Sequence, residues 1–291
     1  MKKLAFIGLG NMGSGMAKNL VKHEFPVVAF DLNEAAMNNA TTFGCKIAIS
    51  AQVAVSDADI VITMLPAGEH VKALYVKDIL NNVKPNTLLI DCSTIDVATA
   101  QYVSGLAQEK QLPMLDAPVS GGTAAASAGT LTFMVGGDSH AFAQAKEVLN
   151  AMGKNVIHAG KQGAGQAAKI CNNMLLGASM IATCESFQLA QKLGLDPQVF
   201  YDIASNASGQ TWSMTSYCPV KGVGPESPAD HEFQGGFASA LMLKDLKLAM
   251  QGAQSVSADV PMGERAATLF AEHCEKGNST LDFSSIINQF S

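Results

Sequence analysis

Charged residues are scarce in this sequence, at 15% of the chain, and aromatic residues make up only 6%. The formal net charge of -6 argues against nucleic acid or an anionic membrane as a partner. No apolar run reaches the length of a membrane span, roughly 20 residues. The six cysteines form no C-x-x-C pair and no cluster with histidine. Their scatter predicts reduced thiols in a cytoplasmic protein and no metal site.

Hydrophobic residues are abundant, at 48% of the 291 residues, which is enough to fill large cores. A chain of this length is expected to form two domains rather than one.

A glycine-rich motif follows the first apolar run. A strand is predicted at residues 3–7 and a helix at residues 14–23, and the motif G-x-G-x-x-G lies between them. In this context the first glycine permits a tight turn, the second admits a pyrophosphate, and the third lets the helix pack on the strand. The motif therefore predicts a dinucleotide site with contacts from Gly8, Gly10, Asn11, Met12 and Gly13.

An acidic residue ends the second predicted strand, residues 27–30. Asp31 lies 18 residues after Gly13. A carboxylate at this place binds the ribose hydroxyls of adenosine and repels a 2′-phosphate. Residues 32–34 contain no arginine or lysine that would hold such a phosphate. The pattern favours NAD over NADP as the cofactor.

Further strands continue the alternation along the first half of the chain. Apolar runs at 59–65 and 87–92 predict buried parallel strands. Residues at the carboxyl ends of such strands line the cofactor crevice, so we predict that Leu65, Pro66 and Thr94 contact NAD. The remaining elements predicted here are strands at 114–117, 129–137 and 155–158 and a helix at 139–152.

A hydroxyl residue and two glycines follow the strand predicted at 114–117. Ser120, Gly121 and Gly122 can expose consecutive backbone N–H groups, and such a nest suits a carboxylate. A flexible turn is the alternative explanation for these residues.

A long proline-free segment rich in alanine, leucine, methionine and glutamine predicts a helix over about 165–192. Gln166, Lys169 and Asn173 share one face of it because they are spaced three and four residues apart. No acidic residue lies near Lys169 in the sequence, so burial of this face would lower the pKa of the lysine and suit it to acid/base chemistry. The alternative is that the face points to water and carries an ordinary solvated lysine.

No strand is predicted beyond this helix. Asp196 and Pro197 predict the start of a helix reaching about residue 207. The other elements predicted are an irregular segment at 217–236, helices at 238–256 and from Pro261 to about 277, and a short helix capped by Asp282.

The sequence thus predicts an α/β fold with a Rossmann-type dinucleotide-binding domain, residues 1–162. A long interdomain helix joins it to an all-α domain for substrate binding and dimerisation, residues 163–291.

Seven motifs in order carry a family resemblance: GLGNMGSGMAKNL, DAPVSGGTAAASAGTLTFMVGG, GAGQAAKICNN, WSMTSYCPVKGV, FQGGF, LMLKDLKLA and DFSSII. Together they resemble the β-hydroxyacid dehydrogenase superfamily, and within it the 3-hydroxyisobutyrate dehydrogenases, over the whole chain. The resemblance implies NAD-dependent oxidation of 3-hydroxyisobutyrate to methylmalonate semialdehyde, a step of valine catabolism. It also implies that Lys169 is the catalytic acid/base and that Asn173 helps to orient the substrate.

The resemblance implies further contacts in the same site. It places the substrate carboxylate on residues 120–122 and Trp212 near the substrate pocket. It places Lys244 at the nicotinamide end of the cofactor, with Asp245 beside it. For Lys244 the alternative is an ordinary helix lysine paired with Asp245 or Glu232.

Several alternatives stay open at this point. Close relatives in the superfamily act on L-serine or other short 3-hydroxyacids, and residues 224–228 depart from the expected sequence. L-serine and 3-hydroxypropionate are therefore alternative substrates, and reduction of the semialdehyde is the alternative direction. A non-catalytic NAD-binding sensor is the alternative from another class. The apolar helix and the resemblance together imply a homodimer or homotetramer.

Overall fold

The structure is a computed structural model, and it describes residues 1–290. The chain folds into two compact units, the first formed by Met1–Lys169 and the second by the residues from Ile170 onward. The long helix α8 (Ala164–Lys192) runs across this division. It spans roughly 43 Å at 1.5 Å per residue. The long helix predicted from the sequence is confirmed, and it contributes residues to both units.

A single mixed sheet organises the first unit. Its strands are β1 (Leu4–Ile7), β2 (Val27–Phe30), β3 (Lys46–Ile47), β4 (Ile60–Thr63), β5 (Leu88–Asp91), β6 (Met114–Asp116), β7 (Val119–Ser120), β8 (Leu131–Gly137) and β9 (Gly153–Gly160). The order is β3-β2-β1-β4-β5-β6-β8-β7, and β9 pairs with β8. Strands β1 to β6 run parallel, whereas β8 is antiparallel to β6 and β7.

The strand order places a switch point between β1 and β4, where the connections leave in opposite directions. In open parallel sheets a crevice forms at this point, beyond the carboxyl ends of the strands, and it takes the dinucleotide. The predicted Rossmann-type topology is confirmed.

Helices cover both faces of this sheet. They are α1 (Asn11–Lys22), α2 (Glu34–Thr42), α3 (Ala51–Val55), α4 (Gly68–Leu74, extended by a π-helical turn, Tyr75–Ile79), α5 (Val97–Glu109), α6 (Gly122–Ala128) and α7 (Ser139–Met152). In β1, Leu4 and Phe6 enter the core beneath α1 and α7, while Ala5 and Ile7 enter the core beneath α3, α4 and α5. The strand is buried on both faces, as its unbroken apolar run predicts.

Helices dominate the second unit. Besides α8 they are α9 (Pro197–Ala204), α10 (Trp212–Thr215), α11 (Ser239–Ser255), α12 (Pro261–His273) and short 3₁₀ turns, Pro228–His231 and Phe283–Gln289. Residues from α8, α11, α12 and the last 3₁₀ turn form the main core, including Met180, Leu246, Phe270 and Phe283. The predicted all-α character is confirmed.

The ends of several helices differ from the predicted ones. The helix starting at Pro197 ends at Ala204, three residues before the predicted end, and the one starting at Pro261 ends at His273. A π-helical turn continues the latter to Asn278, and Gly277 within it has φ 89°, a conformation that a helix cannot continue through. Asp196 and Asp282 both cap helices through their side chains, as predicted.

Candidate active site

The glycine-rich turn joins β1 to α1 with each glycine in a different environment. A Cβ at Gly13 would overlap the carbonyl oxygen of Gly8, and a Cβ at Gly8 would overlap the carbonyl oxygen of Met64. At Gly10, by contrast, no atom of residues 1–169 beyond its chain neighbours would lie within 4 Å of a Cβ. The first and third glycines are therefore required by close packing, whereas the second leaves the backbone open to a ligand.

The amino terminus of α1 offers hydrogen-bond donors at this opening. Gly10 occupies the cap position and supplies no side-chain hydrogen bond to the helix. Asn11 is exposed and Met12 half-buried at the first turn. The N–H groups of the first turn and the positive end of a 12-residue helix suit a pyrophosphate. The open backbone at Gly10 and the N–H groups of the first turn of α1 therefore fit the pyrophosphate of a dinucleotide.

Asp31 is held at the end of β2 by two backbone groups. Its Oδ2 accepts a hydrogen bond from Leu9 N–H at 2.6 Å, and its Oδ1 accepts one from Asn33 N–H at 2.8 Å. The carboxylate is thus fixed against the glycine-rich turn, where the ribose of a dinucleotide would lie. The adjacent Leu32 is 94% exposed and supplies no positive charge.

The loops after β4 and β5 are joined by hydrogen bonds. Ser93 Oγ accepts a bond from Leu65 N–H at 2.8 Å and donates one to Asp91 Oδ1 at 2.6 Å. Leu65 and Thr94 are half-buried and Pro66 is exposed. These three predicted cofactor contacts therefore lie at the surface, at the carboxyl ends of their strands, and do not fill the core.

A buried carboxyl lies beneath these two loops. Asp91 Oδ1 accepts hydrogen bonds from Thr63 Oγ1 at 2.7 Å and from Ser93, while Oδ2 has no hydrogen-bond partner among the described residues. Burial raises the pKa of Asp91 to about 6, opposed by the hydrogen bonds from Ser93 and Thr63 and assisted by the charge of Asp116. In the sequence Asp91 follows an apolar run at the end of a predicted strand, and this position could have identified it as a buried carboxyl.

This carboxyl predicts a pH dependence of stability. Because its folded-state pKa of about 6 exceeds the ordinary 3.8, the folded protein binds this proton more tightly than the unfolded chain does. Lowering the pH from 8 to 5 should then add about 1.4 kcal/mol to the free energy of unfolding from this group alone. Urea denaturation at both pH values should show that increment for the wild-type protein relative to Asp91→Asn. Equal pH dependences of the two proteins would contradict it.

The face of α8 that carries Lys169 is buried. Lys169 is 7% exposed, Gln166 0% and Asn173 2%. The alternative of a solvated lysine on a water-facing surface is therefore wrong. The catalytic role of Lys169 stays a prediction, now with the desolvated environment that such a role requires.

Asp116 caps the start of this helix from the end of β6. Its Oδ1 accepts a hydrogen bond from Gly163 N–H at 2.8 Å and its Oδ2 one from Gln166 N–H at 2.9 Å. Burial raises the pKa of this carboxyl, and these backbone bonds oppose the shift. Sequence reasoning missed this cap because Asp116 lies 47 residues before Gly163.

Ser120 ends β7, and the two glycines that follow have positive φ, 132° at Gly121 and 68° at Gly122. A Cβ at Gly121 would lie 2.5 Å from the Cβ of Ala125, while the space at Gly122 is open. The segment forms a tight turn that leads into α6, and its role as a carboxylate nest stays a prediction. The short helix α6 was not predicted from the sequence.

Two further predicted residues meet in the second unit. Asn173 Nδ2 donates a hydrogen bond to Asp245 Oδ2 at 2.5 Å, and Asn173 Oδ1 accepts one from Asn172 at 2.9 Å. The amide of Asn173 is thus held in one orientation. Lys244 Nζ lies 3.7 Å from Asp245 Oδ1, while Glu232 pairs with Lys221 instead.

Trp212 belongs to an aromatic cluster of the second unit. Its ring stacks on Tyr217 with centroids 4.8 Å apart, and the Tyr217 hydroxyl donates a hydrogen bond to Asp282 at 2.8 Å. Trp212 is 52% exposed, so its indole is available to a ligand. Its predicted contact with the substrate stays a prediction.

Neither a metal centre nor a membrane span is found in the part of the chain that the structure describes. Among residues 1–290, no group of three or more histidine, cysteine, aspartate or glutamate side chains is arranged to hold a metal ion. No helix in the same range is both long and apolar enough to cross a membrane.

Comparisons with known proteins match the whole chain. Residues 3–160 match the family of NAD-binding domains of 6-phosphogluconate dehydrogenase, and residues 163–290 match the NAD-binding family of NADP-dependent 3-hydroxyisobutyrate dehydrogenase. A 3-hydroxyisobutyrate dehydrogenase of Pseudomonas aeruginosa is 48% identical, over 98% of this chain and 97% of that protein. An NAD-dependent L-serine dehydrogenase of the same organism is 46% identical, over 100% and 98%.

A solved structure is also closely similar. The 3-hydroxyisobutyrate dehydrogenase of Mycobacterium tuberculosis with L-serine superposes with a TM-score of 0.96, at 46% identity and 99% coverage of both chains. Because these relatives are dehydrogenases, the comparisons contradict the alternative of a non-catalytic NAD-binding sensor. We conclude from the glycine-rich turn, the doubly wound sheet and these full-length matches that the chain belongs to the 3-hydroxyisobutyrate dehydrogenase family and is an NAD-dependent hydroxyacid dehydrogenase.

Proposed function

We propose that the preferred substrate is 3-hydroxyisobutyrate, oxidised to methylmalonate semialdehyde with Lys169 as the general base. The observation that carries the proposal is the burial of Lys169 on a helix whose first turn binds Asp116 and the loop after β5. The 48% identical relative that acts as a 3-hydroxyisobutyrate dehydrogenase supports the choice of substrate.

In the proposed reaction Lys169 Nζ takes the proton of the substrate hydroxyl. When bound, NAD⁺ accepts the hydride that leaves the carbinol carbon. The C–H bond breaks, the C=O bond forms, and the proton remains on the lysine until it passes to solvent. Asn173 lies one turn further along α8, and its amide is held by Asp245, so it is suited to orienting the substrate hydroxyl.

We propose that the substrate carboxylate binds residues 120–122. The positive φ angles of Gly121 and Gly122 and the open space at Gly122 support this, because they leave backbone N–H groups accessible to an anion. We likewise propose that Lys244 lies at the nicotinamide end of the cofactor and that Trp212 contacts the substrate. Both side chains have accessible surface in the second unit.

L-serine is the second candidate substrate. It is favoured by the 46% identical L-serine dehydrogenase and by the similar solved structure that contains L-serine. Both molecules place a hydroxyl on the carbon β to a carboxylate, so the same base and nest would serve either. A panel of 3-hydroxyisobutyrate, L-serine, 3-hydroxypropionate and 2-hydroxyacids, each with NAD⁺ and NADP⁺, tests the proposal through absorbance of the reduced cofactor. Higher kcat/KM for any 2-hydroxyacid would contradict it.

Removal of the Ser120 hydroxyl should weaken substrate binding. In Ser120→Ala we expect KM for the hydroxyacid to rise about 10-fold while kcat changes little, because a hydrogen bond to a carboxylate is lost equally from the ground and transition states. Steady-state kinetics would measure this, with Ser127→Ala at the exposed end of α6 as the matched control. If neutral alcohols of the same length were oxidised as efficiently as the acid, the carboxylate site would be wrong.

The predicted homodimer or homotetramer also stays a proposal. Leu175 and Leu189 on α8 are 68% and 60% exposed, and Leu193 just beyond it is 77% exposed. Spacings of 14 and 18 residues bring these side chains to one side of the helix. An apolar stripe of this kind suits a second copy of the chain, and sedimentation of the purified protein would reveal a monomer if the proposal fails.

A further inference from the structure

Gln166 has a fully buried side chain in the first turn of α8, and its amide binds the loop after β5. Its Oε1 accepts a hydrogen bond from Ile95 N–H at 3.1 Å, and its Nε2 donates one to the Ser93 carbonyl at 2.7 Å. The amide therefore binds backbone groups on both sides of Thr94, as a neighbouring strand would. This pairing satisfies two buried polar groups of the loop.

The same loop is held from its other side. Ser93 Oγ binds Asp91 and accepts the N–H of Leu65, so the loops after β4 and β5 form one hydrogen-bonded unit. Thr94 and Leu65 are predicted cofactor contacts. A side chain that fixes this pair of loops fixes the surface on which the cofactor is expected to lie.

Gln166 is also fixed along its own helix. Its backbone N–H donates to Asp116 Oδ2 at 2.9 Å, which ties the start of α8 to β6. Lys169 lies three residues later, on the same side of the helix. A shift of the Gln166 side chain relative to the loop would therefore move Lys169 relative to the cofactor surface.

We propose that Gln166 is a positioning residue that sets the distance between the base Lys169 and the cofactor-binding loops. The inference rests on the proposed role of Lys169. Gln166 acts through its backbone partners: its amide hydrogen-bonds the loop through both its oxygen and its nitrogen, and a carboxamide neither gains nor loses a proton near neutral pH.

Gln166→Met is the direct test, since methionine has a similar length and cannot form either hydrogen bond. Misplacement of a base by about 1 Å can cost about 10²-fold in rate, so we expect kcat to fall by about 10- to 100-fold and NADH affinity to fall several-fold. Gln162→Met is the matched control. Gln162 lies four residues earlier, and its amide donates to the Met114 carbonyl on β6, not to the loop. Its kcat and NADH affinity should stay within about two-fold of the wild-type values.

A double-mutant cycle separates positioning from a general loss of structure. If Gln166 acts through Lys169, Gln166→Met should lower single-turnover rates strongly in the wild-type background and hardly at all in Lys169→Ala. An equal fold-loss in both backgrounds, or a loss matched by the fraction of unfolded protein in thermal melts, would overturn the inference. Failure of the proposed function is seen separately, in the single variant Lys169→Ala retaining its turnover.

Discussion

Replacing Lys169 with alanine is expected to lower kcat by about 10²- to 10⁴-fold, the usual range for loss of a general acid/base. The lysine is 7% exposed on a helix held by Asp116 and Gln166, so no mobile side chain or bulk water can easily take its place. NADH should still bind, because the glycine-rich turn and Asp31 lie on other elements of the first unit.

Lys169→Arg should lose nearly as much activity as the alanine variant. Guanidinium remains protonated at all working pH values and cannot accept the hydroxyl proton. Lys192→Ala, at the exposed end of the same helix, is the matched control and should retain wild-type kcat. Stopped-flow single turnovers and NADH fluorescence would measure chemistry and cofactor binding separately. An arginine variant with most of its activity would mean that this position contributes charge or packing and not proton transfer.

The second large effect is expected on cofactor choice. In Asp31→Ser combined with Leu32→Arg, the ratio of kcat/KM for NADP⁺ to that for NAD⁺ should rise by about 10²-fold or more. The change removes a carboxylate that would repel the 2′-phosphate and adds a guanidinium that would bind it bidentately. Serine at position 31 keeps an oxygen that can accept the hydrogen bond Leu9 N–H now gives to the aspartate. Leu32 is 94% exposed, so an arginine there costs no core packing.

Leu32→Ala is the control for this experiment, since it shortens the same exposed side chain without adding charge. Its cofactor ratio should equal that of the wild-type protein. Initial rates with both cofactors over a range of concentrations would give the ratios. If the unmodified protein used NAD⁺ and NADP⁺ with equal kcat/KM, the preference inferred from Asp31 would be wrong.

Local chemistry explains which features could be predicted from the sequence. The glycine-rich turn, the buried strands β4 and β5, and the caps at Asp196 and Asp282 each depend on residues a few positions apart. Backbone sterics and short-range hydrogen bonds determine them, so a sequence pattern is sufficient. Short helices are harder to predict. The sequence predicts a nest at Ser120, Gly121 and Gly122 but no helix over Gly122–Ala128, because seven residues are too few to form a helix without tertiary packing.

Only the tertiary structure determined the burial and the hydrogen bonds of the candidate active site. The sequence predicts that Lys169 and Asn173 share one face of a helix. Whether that face is exposed to solvent or buried depends on elements far along the chain. Gln166 meets Ser93 from 73 positions away, and Asn173 meets Asp245 from 72. Such contacts depend on how strands and helices stack, and periodicity within one element carries no information about the partner it will pack against. The chemistry of these residues could therefore be predicted from the sequence, whereas the burial and hydrogen bonds on which their proposed catalytic roles depend were set by packing.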